Sequence, residues 1–210
     1  MKIIVIGAGA QANIVHEILS YDRNIEVVAF VDYLVRCGKE TIKGIPILGD
    51  HDVIPDYIKS GIKGAIIAIS MNDIRQAHFE KIRAMGLEMM NAIHPTASIA
   101  TSARLGSGIT IAMGAIICTG VNINDNVIVS TGSIIDHEDE IGENVYLGTG
   151  CSLAGRVTVK KNAHIGIGTV IRENLTIGTN SVISAGSVVL DDVPDNVIAS
   201  GTPAKFVEKR

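Results

Sequence analysis

Residues 105–135 read LGSGITIAMGAIICTGVNINDNVIVSTGSII, and an aliphatic residue returns at every sixth position of this stretch. The series extends in both directions without an insertion. Its sixteen members are Ile99, Leu105, Ile111, Ile117, Ile123, Val129, Ile135, Ile141, Leu147, Leu153, Val159, Ile165, Ile171, Ile177, Ile183 and Val189. A step of six fits neither the period of an α-helix nor the simple alternation of a long strand. The repeat therefore predicts a regular coil built from hexads.

Glycine or asparagine stands three positions after twelve of these sixteen aliphatic residues. Both residues tolerate positive φ at low cost, so each hexad is expected to contain a short extended piece and a tight corner. The fourth residue after each aliphatic is usually small or β-branched and is expected to point inward. Three hexads close a triangular coil, and about five stacked coils predict a hexapeptide-repeat parallel β-helix. A sandwich of short strands would instead need irregular turn spacing.

Residues 1–92 have a different pattern, in which predicted strands alternate with predicted helices. Apolar runs predict strands over 2–6, 26–31, 45–48, 63–70 and 89–93, with helical patterns over 14–19, 53–58 and 73–83. Asn72 and Asp73 are expected to cap the last helix. This alternation predicts an α/β Rossmann-like domain with a parallel sheet, followed by the β-helix domain over 93–210. The tail over 195–205 is expected to be a loop.

The first predicted strand runs into Gly7-Ala8-Gly9-Ala10-Gln11-Ala12, and Asp32 ends the second strand. Glycines at such a turn let a phosphate approach the N-terminus of a helix, while the acid is placed to bind a ribose or a base. The spacing is compatible with NAD, although no dehydrogenase-type catalytic domain follows. A tight turn without a ligand is the simplest alternative. We favour binding of a nucleotide or a nucleotide sugar.

Residues 133–142 read SIIDHEDEIG and interrupt the apolar repeat with a histidine among four acids. A neutral imidazole beside a carboxylate is suited to take a proton near neutral pH. Asp139 falls at an inward position, where an unpaired carboxylate is costly, so the departure indicates function. A solvated acidic corner is the alternative.

Composition limits the remaining possibilities. The net charge of -4 argues against a nucleic-acid or anionic-membrane surface. The three cysteines show no pairing or metal spacing, and no signal peptide or membrane-spanning run is evident, which favours a reducing, cytoplasmic location. Cys151 is expected to be a packed thiol, and His51 and His78 are expected at the surface or in helices.

The whole chain resembles the sugar O-/N-acyltransferases of the hexapeptide-repeat type, which include UDP-4-amino-sugar N-acetyltransferases and sialic acid O-acetyltransferases. The matching segments are IVIGAGAQA, FVD, AISMNDIR, IHPTASI, IIDHEDEIGENVYLG and IASGTPAK. The resemblance implies a left-handed β-helix, a homotrimer, acetyl-CoA as donor, and a nucleotide-sugar pocket in the N-terminal domain. No metal is expected, because no cluster of His, Cys or Asp in the sequence has metal-ligand spacing.

By position, the resemblance makes His137 the general base and Glu138 the acid that raises its basicity. It assigns acetyl-CoA contacts to Tyr146, Ile167 and Ala185. It assigns the sugar-nucleotide pocket to Gly9, Ala10, Gln11, Asp32, Tyr33 and Ser70. The chain departs from the family pattern at four places: Gln11 replaces a frequent histidine, Tyr33 a second acid, Tyr146 a common histidine and Asp139 a small residue.

We therefore expect an acetyl-CoA-dependent N-acetyltransferase that acts on a nucleotide-linked amino sugar. O-acetylation of a sugar such as sialic acid is the close alternative. A non-catalytic nucleotide-binding β-helix scaffold is the alternative from another class, and a dehydrogenase is the most distant one.

Overall fold

A computed structural model describes residues 1–32 and 41–210 of the chain. These residues form two compact units, Met1–Ile93 and His94–Arg210. The division lies one residue after the boundary expected from the sequence. Tyr33, one of the expected substrate contacts, lies outside the described residues.

The first unit is an α/β domain built around a mostly parallel sheet. Its strands are β1 (Lys2–Ile6), β2 (Glu26–Val31), β3 (Thr41–Ile42), β4 (Ile45–Leu48), β5 (Gly64–Ile67) and β6 (Glu88–Met89). A further short strand at the end of the unit, β7 (Ala92–Ile93), does not belong to this sheet. Its helices are α1 (Ala10–Leu19), α2 (Ile54–Lys59) and α3 (Asn72–Ala84), and a 3₁₀ turn covers His51–Val53. The sheet order is β3-β4-β2-β1-β5-β6, in which only β3 runs antiparallel to its neighbour.

Helices cover both faces of this sheet. Alternate residues of β1 point to opposite sides and pack against different helices. Ile3 and Val5 pack in one apolar cluster with the buried side of α1. Ile4 and Ile6 pack in a second cluster that includes Ile54 of α2 and residues of α3. A strand buried on both faces explains why residues 3–6 are uninterrupted aliphatics.

The sequence expectations for this unit hold for the main strands and fail at details. The cap of α3 was expected at Asn72 and Asp73, but Met71 occupies that position and no side chain caps the helix. The last expected strand is divided into β6 and β7. The 3₁₀ turn was not predicted; Asp50 starts it by accepting a hydrogen bond from the His51 amide.

The second unit is a left-handed parallel β-helix whose coils have three sides of two residues each. The first face contains β8 (Ser98–Ile99), β11 (Ile116–Ile117), β14 (Ile134–Ile135), β17 (Ser152–Leu153), β20 (Val170–Ile171) and β23 (Val188–Val189). The second face contains β9 (Arg104–Leu105), β12 (Asn122–Ile123), β15 (Glu140–Ile141), β18 (Thr158–Val159) and β21 (Thr176–Ile177). The third face contains β10 (Thr110–Ile111), β13 (Ile128–Val129), β16 (Tyr146–Leu147), β19 (His164–Ile165), β22 (Val182–Ile183) and β24 (Val197–Gly201).

Each strand pairs with the strand 18 residues later, as the three-hexad coil predicts. Ile117 stands beside Ile135, for example, and Ile123 stands beside Ile141. The repeated aliphatic residues are buried from Ile111 to Val189, and so are the small residues expected to point inward. The predicted fold is confirmed.

The three corners of the coil differ in chemistry. The corner between the third and first faces carries only glycine with positive φ, at Gly114, Gly132, Gly150, Gly168 and Gly186. The corner between the second and third faces carries an asparagine ladder. Asn126, Asn144, Asn162, Asn180 and Asn196 all have positive φ, and each side-chain amide donates to the next carbonyl oxygen at 2.7–3.1 Å.

The corner between the first and second faces breaks the glycine–asparagine rule. Glu138 has a φ of 60° and Arg156 a φ of 61°, so both stand in the left-handed region without the residue types that favour it. This corner also carries His137, which makes it the candidate site described below.

The C-terminal tail is not the loop that the sequence suggested. β24 continues the third face in parallel with β22, and β25 (Ala204–Lys209) folds back on β24 as an antiparallel strand. The hairpin covers the end of the third face, where an open edge would otherwise remain. No helix among the described residues is long and apolar enough to cross a membrane.

The asparagine ladder gives a stability prediction at Asn144, which donates to Asn162 and accepts from Asn126. Asn144→Ala loses both bonds and places a Cβ-bearing residue at positive φ, and we expect a cost of about 2–4 kcal/mol. Asn144→Gly loses the same bonds but tolerates the backbone, and we expect it to be about 1 kcal/mol less damaging. Urea unfolding of both variants measures the difference; equal losses would show that the corner conformation contributes nothing.

Candidate active site

A cavity of about 220 Å³ in the first unit lies at the carboxyl ends of β1, β2 and β5. Parallel α/β sheets bind their ligands at this edge. The structure brings five of the six expected substrate contacts together as lining residues of this cavity: Gly9, Ala10, Gln11, Asp32 and Ser70.

The glycine turn is built for close approach at Gly7 and for open space at Gly9. Gly7 has a φ of 104°, and a Cβ there would stand 2.8 Å from the Ala68 carbonyl oxygen, so packing requires glycine. Gly9 has an ordinary φ of -82°, and a Cβ there would touch nothing. Gly9 begins α1 without a side-chain cap, which leaves the first amides of that helix directed at the cavity. This end of the helix suits an anionic group.

Two buried polar contacts hold the cavity walls. One carboxylate oxygen of Asp32 accepts a hydrogen bond from the Ala8 amide at 2.8 Å, which ties the end of β2 to the glycine turn. Arg75 is fully buried and donates to the carbonyl oxygens of Ile69 and Ser70 and to the Asn72 side chain. The hydrogen bonds from Arg75 thus hold the loop after β5, which carries Ser70, in place.

Two histidines that the sequence analysis left aside also line this cavity. His78 lies in α3 and His51 in the 3₁₀ turn, as expected for helix residues, and the His51 side chain is buried, with 5% exposure. Their ring nitrogens, His78 Nδ1 and His51 Nε2, are 2.7 Å apart, and the rings stack with centroids 4.6 Å apart. His51 Nδ1 stands 2.7 Å from the Asp50 carboxylate. A separation of 27 residues hides this pair from the sequence.

His137 stands at the corner between the first and second faces of the β-helix. Its Nδ1 is 3.4 Å from Glu138 Oε2, at the long end for a hydrogen bond, and both side chains are partly open to solvent. The Asp136 carboxylate accepts a hydrogen bond from the His137 amide at 2.8 Å, which fixes the backbone of the turn. Since Nδ1 faces the carboxylate, Nε2 is the ring nitrogen left to accept a proton.

Gly155 lies one coil after His137 and makes room for its ring. A Cβ at Gly155 would stand 2.3 Å from His137 Nε2. The sequence signal was available, because 18 residues after His137 the chain has glycine. The Gly155 amide makes no hydrogen bond to any of the described residues, so a donor is present beside the imidazole.

Arg156 lies on the same corner, one coil after Glu138. Its guanidinium is 3.4 Å from Glu138 Oε2 and donates to Asn174 Oδ1 at 2.9 Å. Glu138 therefore has a cationic neighbour on one side and the imidazole on the other.

Asp139 is buried inside the coil, as the hexad position predicts, and does not face His137. Its Oδ1 accepts a hydrogen bond from the Val157 amide at 2.7 Å, while Oδ2 has no partner among the described residues. Burial, with a smaller contribution from the nearby Asp136, raises the pKa of Asp139 to about 7, although the hydrogen bond from the Val157 amide acts in the opposite direction. Asp139 thus supports the turn that carries Gly155 and Arg156, which are the two residues before Val157.

The three expected acetyl-CoA contacts lie on another part of the β-helix. Ile167 and Ala185 are exposed on the glycine corner, one coil apart, next to Gly168 and Gly186. Tyr146 lies on the third face, and its ring stacks on that of His164 at 4.6 Å. Within a single chain, one edge of the triangular coil therefore lies between these residues and His137.

The cysteine side chains of the β-helix are not placed to act as nucleophiles. Cys151 is fully buried and burial raises the pKa of its thiol to about 11, so the expected packed thiol is confirmed. Desolvation and the nearby Asp136 raise the pKa of Cys118. Within the described ranges, no three His, Cys, Asp or Glu side chains are grouped to hold a metal ion.

The pKa of Asp139 gives a prediction about stability and pH. Because the folded value is about 7 and the ordinary value is 3.8, the unfolded chain releases this proton first as the pH rises. The contribution of Asp139 to stability therefore falls between about pH 4 and pH 7, by at most about 4 kcal/mol. Asp139→Asn cannot titrate, so its stability relative to wild type should rise from pH 5 to pH 7.5.

Urea unfolding at both pH values measures this difference, and Glu140→Gln, at an exposed position on the second face, is the matched control. A constant difference between wild type and Asp139→Asn would contradict the assignment.

The chain matches two protein families in the order of its units. Residues 2–82 match the PglD N-terminal domain, and residues 156–191 match the bacterial transferase hexapeptide of six repeats. None of the curated protein sequences matches the chain at a significant level.

Two solved structures are similar over almost the whole chain. One is PerB from Caulobacter crescentus, in complex with CoA and GDP-perosamine. It is 35% identical with a TM-score of 0.93, over 99% of this chain and 97% of that one. The other is the acetyltransferase domain of PglB from Neisseria gonorrhoeae, which is 28% identical with a TM-score of 0.89, over 98% of this chain and 99% of that one. The PglB domain is also known in complex with acetyl coenzyme A.

The α/β unit, the β-helix and the identity to PerB over nearly the full length of both chains agree with the resemblance found in the sequence. The chain belongs to the hexapeptide-repeat sugar acyltransferases.

Proposed function

We propose that this protein is an acetyl-CoA-dependent N-acetyltransferase that acts on a nucleotide-linked amino sugar. The observation that carries the proposal is the corner at His137, where an imidazole has a carboxylate on Nδ1 and a glycine beside Nε2. An exposed, rigidly mounted base is what a transfer between two bound substrates requires.

The relatives supply the substrate class. The PerB structure contains CoA together with GDP-perosamine, and the PglB acetyltransferase domain has been seen with acetyl coenzyme A. Both cover essentially the whole of this chain, so both of its units have a counterpart in each relative. A mutant of perosamine N-acetyltransferase from Caulobacter crescentus, which is 33% identical over 100% of this chain, supports N-acetylation as the reaction.

The N-terminal cavity is the proposed nucleotide-sugar pocket. The uncapped start of α1 at Gly9 suits the diphosphate, because free amides and the helix dipole favour an anion there. Gly9 leaves space for that approach. Asp32 and Ser70 line the same cavity and offer a carboxylate and a hydroxyl to sugar hydroxyl groups.

The chemical step is a direct transfer. The amine nitrogen of the acceptor attacks the thioester carbonyl carbon, the new C–N bond forms, and the carbonyl electrons move to oxygen. His137 Nε2 takes the proton that the nitrogen loses. When the carbonyl re-forms, the C–S bond breaks and the CoA thiolate leaves, to be protonated by the imidazolium.

Glu138 and Gly155 assist this step in different ways. The Glu138 carboxylate keeps the proton of neutral His137 on Nδ1 and stabilises the imidazolium once it forms. The Gly155 amide is placed beside the imidazole and is the proposed donor to the oxyanion, because it has no other partner among the described residues.

The proposed donor site needs a neighbouring subunit. Ile167 and Ala185 lie on the glycine corner, and His137 lies on the next corner of the same coil. In a homotrimer of such coils, the glycine corner of one chain can face the His137 corner of its neighbour. The first face supports an interface, because its outward residues include the exposed apolar side chains of Ile116, Ile134 and Val170. We infer a cytoplasmic homotrimer, in which Cys118 and Cys151 are free thiols.

Replacing His137 tests the proposed base. His137→Asn keeps a polar side chain but removes the proton acceptor, so we expect kcat to fall about 100- to 10,000-fold. The oligomeric state and nucleotide affinity should be unchanged. His16→Asn is the matched control, because His16 lies in α1 outside the cavity lining. Release of the CoA thiol from acetyl-CoA, with UDP- and GDP-linked 4-amino sugars as acceptors, measures the rate.

A residual rate near that of wild type in His137→Asn would refute the proposed base. The product separates the two acylation chemistries, because hydroxylamine cleaves an ester but leaves an amide intact. A labile product would establish the O-acetyl alternative, whereas binding without any turnover in wild type would establish a scaffold.

Mixed oligomers test the shared site. His137→Asn lacks the base, and Ala185→Trp fills the expected donor groove, so each variant alone should be inactive. If a site joins His137 of one chain to the glycine corner of its neighbour, random co-assembly restores about a quarter of the wild-type sites. The measurement is acetyl transfer by the co-expressed mixture, compared with the two pure variants. No recovery would mean that both residues act within one chain.

A further inference from the structure

We propose that His78 is a specificity-determining residue that presents its Nε2 to the bound nucleoside as a hydrogen-bond acceptor. Asp50 and His51 fix it in that form. The inference rests on the proposed function, since it concerns the nucleotide-sugar pocket of the first unit. It adds the residues that select the nucleoside and the chemistry by which they do so.

The geometry dictates the position of each proton, starting from Asp50. The Asp50 carboxylate accepts hydrogen bonds from the His51 amide at 2.6 Å and lies 2.7 Å from His51 Nδ1. These contacts lower the pKa of Asp50, the His51 amide contributing most. An ionised carboxylate only accepts hydrogen bonds, so His51 Nδ1 must carry a hydrogen.

The second step carries the assignment from His51 to His78. A neutral His51 with its proton on Nδ1 has a lone pair on Nε2. His78 Nδ1 is 2.7 Å from that lone pair and must therefore donate to it. The proton of neutral His78 is then on Nδ1, and its Nε2 is an acceptor. Nε2 of His78 makes no hydrogen bond to any residue in the described part of the chain.

The neutral form of His78 is maintained by its surroundings. Desolvation lowers the pKa of His78 most, and the neighbouring His51 ring and Lys81 lower it further, while Asp32 and Asp50 act in the opposite direction. The ring of His51 is 5% exposed, and His78 is half-buried. Both rings line the cavity, although His51 follows β4 and His78 belongs to the helix after β5.

An acceptor at this place in a nucleotide pocket selects for a donor on the nucleoside. Three kinds of group qualify: a ring N–H of the base, as in uracil N3 or guanine N1; an exocyclic amino group, as in cytosine, adenine or guanine; and a ribose hydroxyl. Cytosine N3 and adenine N1 are acceptors and would meet the His78 lone pair unfavourably. A donor on the nucleoside that is buried in the complex without an acceptor also lowers the affinity.

The direct test is the tautomer of His78, read by two-bond ¹H–¹⁵N correlation spectra of ¹⁵N-histidine-labelled protein at pH 7.5. His78→Phe identifies the His78 signals by their loss. We expect the Nδ1–H form with unprotonated Nε2. A spectrum of the Nε2–H form would overturn the proposal.

The binding test uses calorimetry with free UDP, GDP, CDP and ADP. His78→Phe keeps an aromatic ring but removes the acceptor, so UDP and GDP should bind roughly tenfold or more weakly. Asp50→Ala keeps both histidines but no longer fixes their tautomers, and we expect UDP and GDP to bind about twofold or more weakly. His16→Phe is the matched ring substitution and should leave the Kd unchanged. Affinity in wild type should fall as the pH falls and His78 becomes a donor.

The ligand panel separates the possible donors. Preference for UDP and GDP over CDP and ADP assigns the contact to a ring N–H of the base, whereas preference for CDP and ADP assigns it to an exocyclic amino group. Equal binding of all four, with weaker binding of 2′- or 3′-deoxy-UDP, assigns it to the ribose. If UDP or GDP binds wild type and His78→Phe equally, the proposal fails and the proposed function stands. If no nucleotide binds and no nucleotide-linked amino sugar is acetylated, the proposed function itself fails.

Discussion

The β-helix depends on one backbone constraint, a left-handed residue at the end of every two-residue strand. Fourteen of the sixteen hexads place a residue with positive φ three positions after the buried aliphatic. Each such corner turns the chain so that the next strand pairs with the one 18 residues earlier. The aliphatic side chains then stack in columns, and burial of those columns stabilises the coil. Corner and core therefore specify the same register.

The constraint also makes the candidate site visible. Glycine or asparagine satisfies twelve of the fourteen left-handed corners, and the other two are Glu138 and Arg156 in consecutive coils. A Cβ-bearing residue costs about 1–2 kcal/mol in that conformation, and such costs cluster at functional sites. Here the strained pair is an ion pair, with His137 before Glu138 and Gly155 before Arg156. The two departures fall where the coil carries its titratable residues.

How much could be predicted differs between the two units. The β-helix is made of local hexads, so the sequence alone predicted its strands, corners and inward positions. His137 and Glu138 were found because they are adjacent. Gly155 could have been found by the same 18-residue step. In the α/β unit, Gly9 and Asp32 were found through the turn motif. His51 and His78 were missed because only the strand order β4-β2-β1-β5 brings them together. Periodicity cannot reveal a contact that depends on tertiary topology.

Carboxylate–histidine contacts in the two units use one physical rule for different purposes. A carboxylate beside Nδ1 leaves a lone pair on the far nitrogen of the imidazole, or of the next imidazole in line. At His137 the contact is 3.4 Å and open to solvent, which suits a nitrogen that must gain and lose a proton in each cycle. At His51 and His78 the contacts are 2.7 Å and the His51 ring between them is buried, which suits a fixed acceptor. Distance and solvent access, rather than residue type, distinguish a base from a recognition group, so a motif search for histidine beside an acid finds both but cannot tell them apart.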